Sequence, residues 1–274
     1  MHASAEYTVR DVNVVPAASL LAEPTRAAML TAMLDDRPLA AGELARLAGV
    51  TPATASAHLA RLLDGGLVTV VRQGRHRYYR LAGPEIAAVM EALAHLSPVT
   101  PVRSLRQSQD ATALAEARTC YDHLAGRAGV ALLDALLARR LLAPAPDGGP
   151  PSNGGGPGRG GAPEAHAGPV RFEVTADGLA TLSSFGLDMA ALERTRRHFA
   201  GACLDWTERK PHLNGALGAA ITARLLGLGW IERGSRRRAV RVTPAGAEGL
   251  AATFGWSLED RPLAAGTTGG RLSA

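Results

Sequence analysis

A mainly α-helical chain with small β-hairpins, α+β in class, is predicted by three observations. Hydrophobic residues make up 46% of the chain while aromatics are only 4%. Small apolar side chains must therefore fill the core, which favours packed helices over a large sheet. Helix-start signals recur at Pro24, Thr51-Pro52 and Gly83-Pro84, each with proline at a first-turn position. Two short β-rich segments, Leu67 to Arg72 and His76 to Leu81, flank Gln73-Gly74-Arg75 and read as a hairpin.

The first helix signalled by proline begins at Pro24 and runs through Ala27, Met29, Leu30 and Met33. A shorter one spans Ala41 to Ala48, with Leu44 and Leu47 on one face, and Gly49 ends it. Thr51 then caps a helix that Pro52 opens and that continues to about Leu63, where Gly65-Gly66 stops it. The hairpin follows, and Gly83-Pro84 opens a last helix through Ile86, Val89, Met90 and Leu93. Helix, helix, turn, helix, hairpin, helix is the order of a winged helix-turn-helix.

With 274 residues there is room for two modest domains. Residues 10–97 form the first. The polar stretch 98–111 reads as a linker, and residues 112–258 form a second domain interrupted by a Gly/Pro stretch, 143–168, that reads as a disordered loop. Residues 259–274 read as a flexible tail. All but one of the 30 basic residues are arginine, and the net charge of +5 is mild. Placement of charge must therefore carry any case for an anionic partner.

In the helix after the Gly49 turn, Thr51, Thr54, Ser56 and His58 are hydrogen-bond donors near an N-terminus, where a helix can reach base edges in a major groove. Pro52 and Arg61 belong to the same candidate face. The hairpin adds Arg72, Arg75, His76 and Arg77, and the stretch Arg72 to Arg80 contains no acidic residue. Arginine's planar fork suits phosphate oxygens. Tyr78 and Tyr79 point to opposite faces of their strand, so one of them belongs in the core. The partner these residues imply is double-stranded DNA.

Leu21-Ala22-Glu23-Pro24-Thr25-Arg26, Gly42-Glu43-Leu44-Ala45, Ser56-Ala57-His58-Leu59, Gly66-Leu67-Val68 and Arg77-Tyr78-Tyr79-Arg80-Leu81 resemble, in order and spacing, the ArsR/SmtB family of bacterial regulators. The resemblance covers residues 15–97. It implies a homodimer joined by the first and last helices; the apolar stripe Ile86, Val89, Met90 and Leu93, with Val14, Val15 and Leu20 from the first helix, is the candidate seam. It also implies operator binding by the Thr51 to Leu63 helix, and repression relieved by a ligand. The family's metal-site patterns are missing, because no cysteine occurs in Ala41 to Ala48 and Glu85, Glu91 and His95 lack the required spacing. Sensing is therefore expected in the second domain.

That domain repeats itself. His123-Leu124, Gly126, Gly129 and Leu136-Leu137 recur as His212-Leu213, Gly215, Gly218 and Leu225-Leu226, and Phe172-Glu173-Val174-Thr175 recurs as Val240-Arg241-Val242-Thr243. Cys120-Tyr121-Asp122 resembles Cys203-Leu204-Asp205. Two tandem winged-helix-like lobes about a pseudo-twofold axis are expected, each ordered helix, helix, strand with a turn, helix. Core packing explains the repeated Leu, Val and Gly but does not require Cys, Asp and His to recur together. Cys120, Asp122, His123, Cys203, Asp205, Trp206 and His212 are thus candidates for an effector site. A metal or metalloid at Cys120/Cys203, an organic ligand, a thiol switch and plain structural packing all stay open. The arginine run Arg233, Arg236, Arg237, Arg238 and Arg241 offers a secondary DNA contact, but the preceding helices lack a polar reading face.

No phosphate-binding loop, His-Glu-x-x-His or nucleophile elbow occurs, so an enzyme is not expected. The alternative within DNA binding is a nucleic-acid-associated protein that senses nothing. No apolar run is long enough to span a bilayer and the N-terminus lacks a signal-peptide layout, so no membrane partner and a cytoplasmic location are expected.

Overall fold

The computed structural model describes residues 12–74, 76–98, 104–145 and 170–258. The chain divides into two compact units, Met1–Met90 and Glu91–Ala274.

The first unit contains α1 (Val15–Leu21), α2 (Pro24–Ala32), β1 (Leu39–Ala40), α3 (Ala41–Ala48), α4 (Pro52–Asp64), β2 (Val68–Gln73) and β3 (His76–Leu81), and α5 (Pro84–Leu96) begins in it. The three strands form one antiparallel sheet in the order β1-β3-β2, with Arg72 opposite Arg77 and Val70 opposite Tyr79. This is a winged helix-turn-helix. Its core is Met29, Leu30, Leu44, Leu59 and Leu62, all fully buried, each contributing about 1.5–3 kcal/mol by leaving water. Glu23 caps α2 by accepting from Thr25 N and Arg26 N. The Arg26 guanidinium donates back to Leu20 O and Ser19 O, both at 2.8 Å, which fastens the end of α1. Gly49 closes α3 in the left-handed conformation (φ +67°) that lets the chain turn directly into α4. Leu47, expected on one face with Leu44, is 46% exposed while Leu44 is fully buried.

The second unit continues with α6 (Leu105–Glu116), β4 (Arg118–Cys120), β5 (His123–Ala125), α7 (Gly126–Ala138), β6 (Leu142–Pro144), β7 (Phe172–Val174), α8 (Ala176–Ser184) and α9 (Met189–Glu193). It ends with β8 (Gly201–Leu204), β9 (Pro211–Asn214), α10 (Gly215–Gly227), β10 (Ile231–Arg233), β11 (Val240–Val242) and α11 (Pro244–Phe254). The repeat is present, and each lobe reads hairpin, helix, hairpin, helix. The expected order lacks the hairpin that stands between α6 and α7 and between α9 and α10, where Cys120 pairs in register with His123, and Cys203 with His212. Thr175 and Thr243 cap α8 and α11 by accepting from Gly178 N and Gly246 N, at the same place in each lobe.

Three expected boundaries change or fall elsewhere. Residues 105–111 of the expected linker are helical, as the start of α6, because Ser104 accepts from Gln107 N and caps a helix that packs on α7. Leu142–Pro144 form a strand paired with β7, and the rest of the Gly/Pro stretch, from residue 146, lies outside the described residues. The tail 259–274 lies outside them as well.

The lobes exchange packing partners, with α7 lying against β9 and α10 against β5. Glycine lets each helix also pack tightly on the hairpin that precedes it in its own lobe. A Cβ at Gly129 would sit 2.3 Å from Leu124 O, and one at Gly218 2.6 Å from Leu213 O. Gly227, at the other end of α10, has open space around its would-be Cβ. Gly129→Ala and Gly218→Ala are each expected to destabilise the second unit by about 1–3 kcal/mol, since the obstructing atom is backbone. Gly227→Ala should stay within about 1 kcal/mol of the parent. Urea unfolding of the three variants measures the contrast.

Candidate functional site

The N-terminal half of α4 is exposed at Thr51, Pro52, Ala53, Thr54, Ser56 and Ala57, while Ala55 and Leu59 turn inward. Thr51 caps the helix by accepting from Thr54 N at 3.2 Å, and its hydroxyl lies 2.9 Å from Thr54 Oγ1. Ser56 Oγ donates to Pro52 O at 2.9 Å. The result is a rigid, hydroxyl-bearing, solvent-facing helix start next to the turn at Gly49. Arg61 is also exposed. His58 is not aligned with the other donors. It is half-buried, and its Nδ1 lies 3.3 Å from Glu23 Oε2, the carboxylate that caps α2. When the imidazole is protonated, this approach is an ion pair between α4 and the cap of α2.

In the wing, Arg72, His76, Arg77 and Arg80 are exposed, and Arg75 lies outside the described residues. Arg72 and Arg77 face one another across the strands. Tyr79 is buried and Tyr78 half-buried, the alternation expected of a strand. The second basic run differs. Arg238 is bound to Glu91 and donates to Thr119 O, Arg236 pairs with Asp110 at 3.2 Å, and Arg241 pairs with Glu232 at 2.6 Å. Arg236, Arg238 and Arg241 are thereby occupied within the second unit.

The second unit brings the recurring Cys, His and Asp residues together. One ligand-type atom from each of Cys120, His123, Cys203 and His212 can be chosen so that all four lie within 4.8 Å of one another. The two sulfurs are 3.9 Å apart, and the imidazoles stack with centroids 5.1 Å apart. Cys120, His123 and His212 are buried, and Cys203 is half-buried. Asp122 Oδ1 lies 3.2 Å from His123 Nδ1, and Arg197 Nη1 donates to Asp122 Oδ2 at 2.5 Å.

Asp205 sits behind His212, with Oδ2 3.7 Å from His212 Nδ1. Its Oδ2 accepts from Arg118 Nη2 at 2.9 Å and Gly126 N at 2.7 Å, and its Oδ1 accepts from Thr207 N, Thr207 Oγ1 and Glu208 N. The fully buried Arg118 also lies over the Trp206 ring, 4.6 Å from its centroid. Trp206 therefore flanks the ion pair.

Electrostatics follow from this packing. The hydrogen bond to Cys203 and burial push the Cys120 thiol well above its ordinary pKa. Burial, reinforced by the neighbouring His123, pushes His212 well below the ordinary imidazole value. Burial opposes a charge on His123, but the Cys120 sulfur and the Asp122 carboxylate outweigh it and raise its pKa. Burial also opposes ionisation of Asp205, yet Arg118 and the Thr207 and Glu208 donors hold it well below the carboxylate range.

Arg118 and Arg197 do not stand out in the sequence, where arginines are everywhere. The signal that could find them is indirect: Asp122 and Asp205, their partners, recur with the cysteines. Removing one half of the buried pair strands the other charge. Arg118→Met is accordingly expected to cost about 3–5 kcal/mol, read by chemical denaturation of the second unit.

A family model described as a helix-turn-helix domain matches residues 21–71. A Bacillus subtilis (strain 168) protein described as an uncharacterized HTH-type transcriptional regulator, YdfF, is 40% identical over 234 residues, spanning 85% of this chain and 93% of that one. Among solved structures, NolR from Sinorhizobium fredii is 25% identical over 32% of this chain and 86% of its own, with a TM-score of 0.29. A homodimeric winged helix-turn-helix DNA-binding domain from Mycobacterium bovis, described as a possible ArsR-family regulator, is 35% identical over 30% of this chain and 75% of its own, with a TM-score of 0.28. On its extensive likeness to the Bacillus protein, together with the helix-turn-helix match, the chain belongs to the HTH-type transcriptional regulators.

Proposed function

We propose that this regulator is an ArsR-type repressor that binds an operator as a homodimer and releases it when the second unit takes up an effector. The observation that carries the DNA-reading part is the exposed hydroxyl-bearing start of α4 beside a wing whose arginines face solvent. Thr51, Thr54 and Ser56 are suited to base edges, and Arg72, His76 and Arg77 to phosphates. A chromosomal operator assigns the protein to the cytoplasm.

Symmetric operators need a symmetric reader, with recognition helices about one DNA turn apart. The apolar surface for such pairing is present. No residue of α1 is buried, Val14 and Val15 are 66% and 64% exposed, and Val89 on α5 is 45% exposed. A protein of this size gains by covering such a stripe with a second copy.

The rival reading is charge-driven binding to any nucleic acid. It is favoured by the exposed wing arginines alone, and the two readings differ in specificity. Selection of binding sites from fragmented genomic DNA should yield a two-fold-symmetric sequence bound at least about 1,000-fold more tightly than random duplex. Binding that is equal for all duplexes would reject operator reading. Thr54→Ala and Ser56→Ala should each cost about 1–3 kcal/mol on the selected site and little on random DNA. Arg72→Ala and Arg77→Ala should weaken both, reducing the slope of log affinity against log salt by about 0.9 for each phosphate that is no longer neutralised. Light scattering should give twice the chain mass for the parent, and a lower mass for Val89→Glu.

A further inference from the structure

We propose that Cys120, His123, Cys203 and His212 bind one divalent ion of the zinc type in a four-coordinate site that fastens the two lobes of the second unit. The proposal goes beyond the DNA-binding reading and stands without it.

Each lobe contributes a ready-made pair. The β4–β5 hairpin sets Cys120 across from His123, and the β8–β9 hairpin sets Cys203 across from His212. Packing of β5 beside β9 brings the two pairs face to face. The lobes also shape the site from behind, since the would-be Cβ of Gly129 faces the His212 side chain at 3.6 Å and that of Gly218 faces His123 at 3.3 Å.

The spacing suits a metal. Two sulfurs bound at about 2.3 Å to a tetrahedral ion lie about 3.8 Å apart, and here they are 3.9 Å apart. A disulfide would need them at about 2.05 Å and would leave both histidines unused.

The nitrogens give the second, independent observation. His123 Nε2 and both ring nitrogens of His212 are buried with no hydrogen-bond partner among the described residues. Purely structural packing leaves such atoms unexplained, because a buried polar atom costs free energy unless something binds it. A metal satisfies one nitrogen on each ring.

Asp122 is arranged to leave the right nitrogen of His123 free. Asp122 accepts from His123 Nδ1–H, which turns Nε2 toward the cluster, and Arg197 holds Asp122 in place. In the other lobe Asp205, held by Arg118, lies 3.7 Å from His212 Nδ1, near it but without a hydrogen bond. Carboxylate-supported imidazoles are a recurring outer shell of zinc sites. Two thiolates with two imidazoles favour zinc and its neighbours over calcium or magnesium. Half-exposed Cys203 gives the ion a way in.

The test uses the full-length reduced protein, stripped with a chelator and titrated with cobalt(II) chloride. One cobalt per chain should bind, with thiolate-to-cobalt charge-transfer absorption and the intense visible bands of tetrahedral cobalt, and zinc should displace it. Zinc alone should raise the thermal unfolding temperature of the parent. Asp122→Asn should weaken cobalt binding about 10- to 100-fold while keeping the tetrahedral spectrum. The Cys120→Ser, Cys203→Ser double variant, if folded by circular dichroism, should lose the charge-transfer band. Three results would overturn the proposal: a parent that binds no cobalt at one equivalent, a cobalt spectrum without thiolate or tetrahedral character, or a folded double-serine variant that binds like the parent. Because the parent's zinc-dependent stabilisation needs no variant, its absence alone also counts against the site.

Discussion

A buried carboxylate organises the second unit. Asp205 is removed from water, where an ion without partners could not persist, and it is stabilised by five donors drawn from both lobes. Arg118 comes from the first lobe's hairpin and Gly126 N from the start of α7, while Thr207 and Glu208 come from the loop that follows β8. One side chain therefore fixes where α7 begins, where the second hairpin turns and how the hairpins meet. Gly126 supplies the positive φ (+73°) that points its N–H at the carboxylate, and a Cβ there would lie 2.8 Å from Ala115 O. The meeting of Cys120, His123, Cys203 and His212 follows from that arrangement.

The first unit is built on a different constraint, which is that α4 is held firmly by the core yet stays polar on its exposed face. Leu59 and Leu62 anchor α4 in the core, the Thr51 cap fixes its start, and the left-handed Gly49 sets its angle to α3. The hydroxyls at 51, 54 and 56 are then presented to solvent at no cost in helix order. His58 completes the anchorage by meeting the Glu23 cap of α2. A residue that resembles a DNA-reading donor in a linear pattern thus has a partner of its own inside the unit.

Local signals are legible in the sequence and long-range ones are not. Proline at the first helical position marks α2, α4 and α5 to the residue, and glycine marks the ends of α3 and α4, because these are backbone constraints carried by single side chains. The repeat exposes the two lobes and the recurring Cys, Asp and His. Its two offsets, 83 from Cys120 to Cys203 and 89 from His123 to His212, differ by six because the second hairpin has one more residue pair beyond Cys203 and His212 (Leu204 with Pro211) and a loop four residues longer, Asp205 to Lys210 against Tyr121-Asp122. The hairpins escape a reading of the sequence because neither loop carries the usual turn glycine, and Tyr121 takes the positive φ itself (+61°). Arg118 and Arg197 escape it because an ion pair across 75 or 87 residues leaves no local trace. Leu47 shows the limit of helical spacing, which puts it on one face with Leu44 without telling how far the core reaches.

The central claim is that α4 and its wing read a symmetric DNA sequence through two copies of the chain. Hydroxyl-radical footprinting on a DNA fragment selected by the parent protein tests this most directly. Protection should appear as two matching patches on one face of the duplex, centred about one helical turn (10–10.5 bp) or a multiple of it apart, and related by two-fold symmetry. A single patch, or uniform protection that does not depend on sequence, would contradict the account.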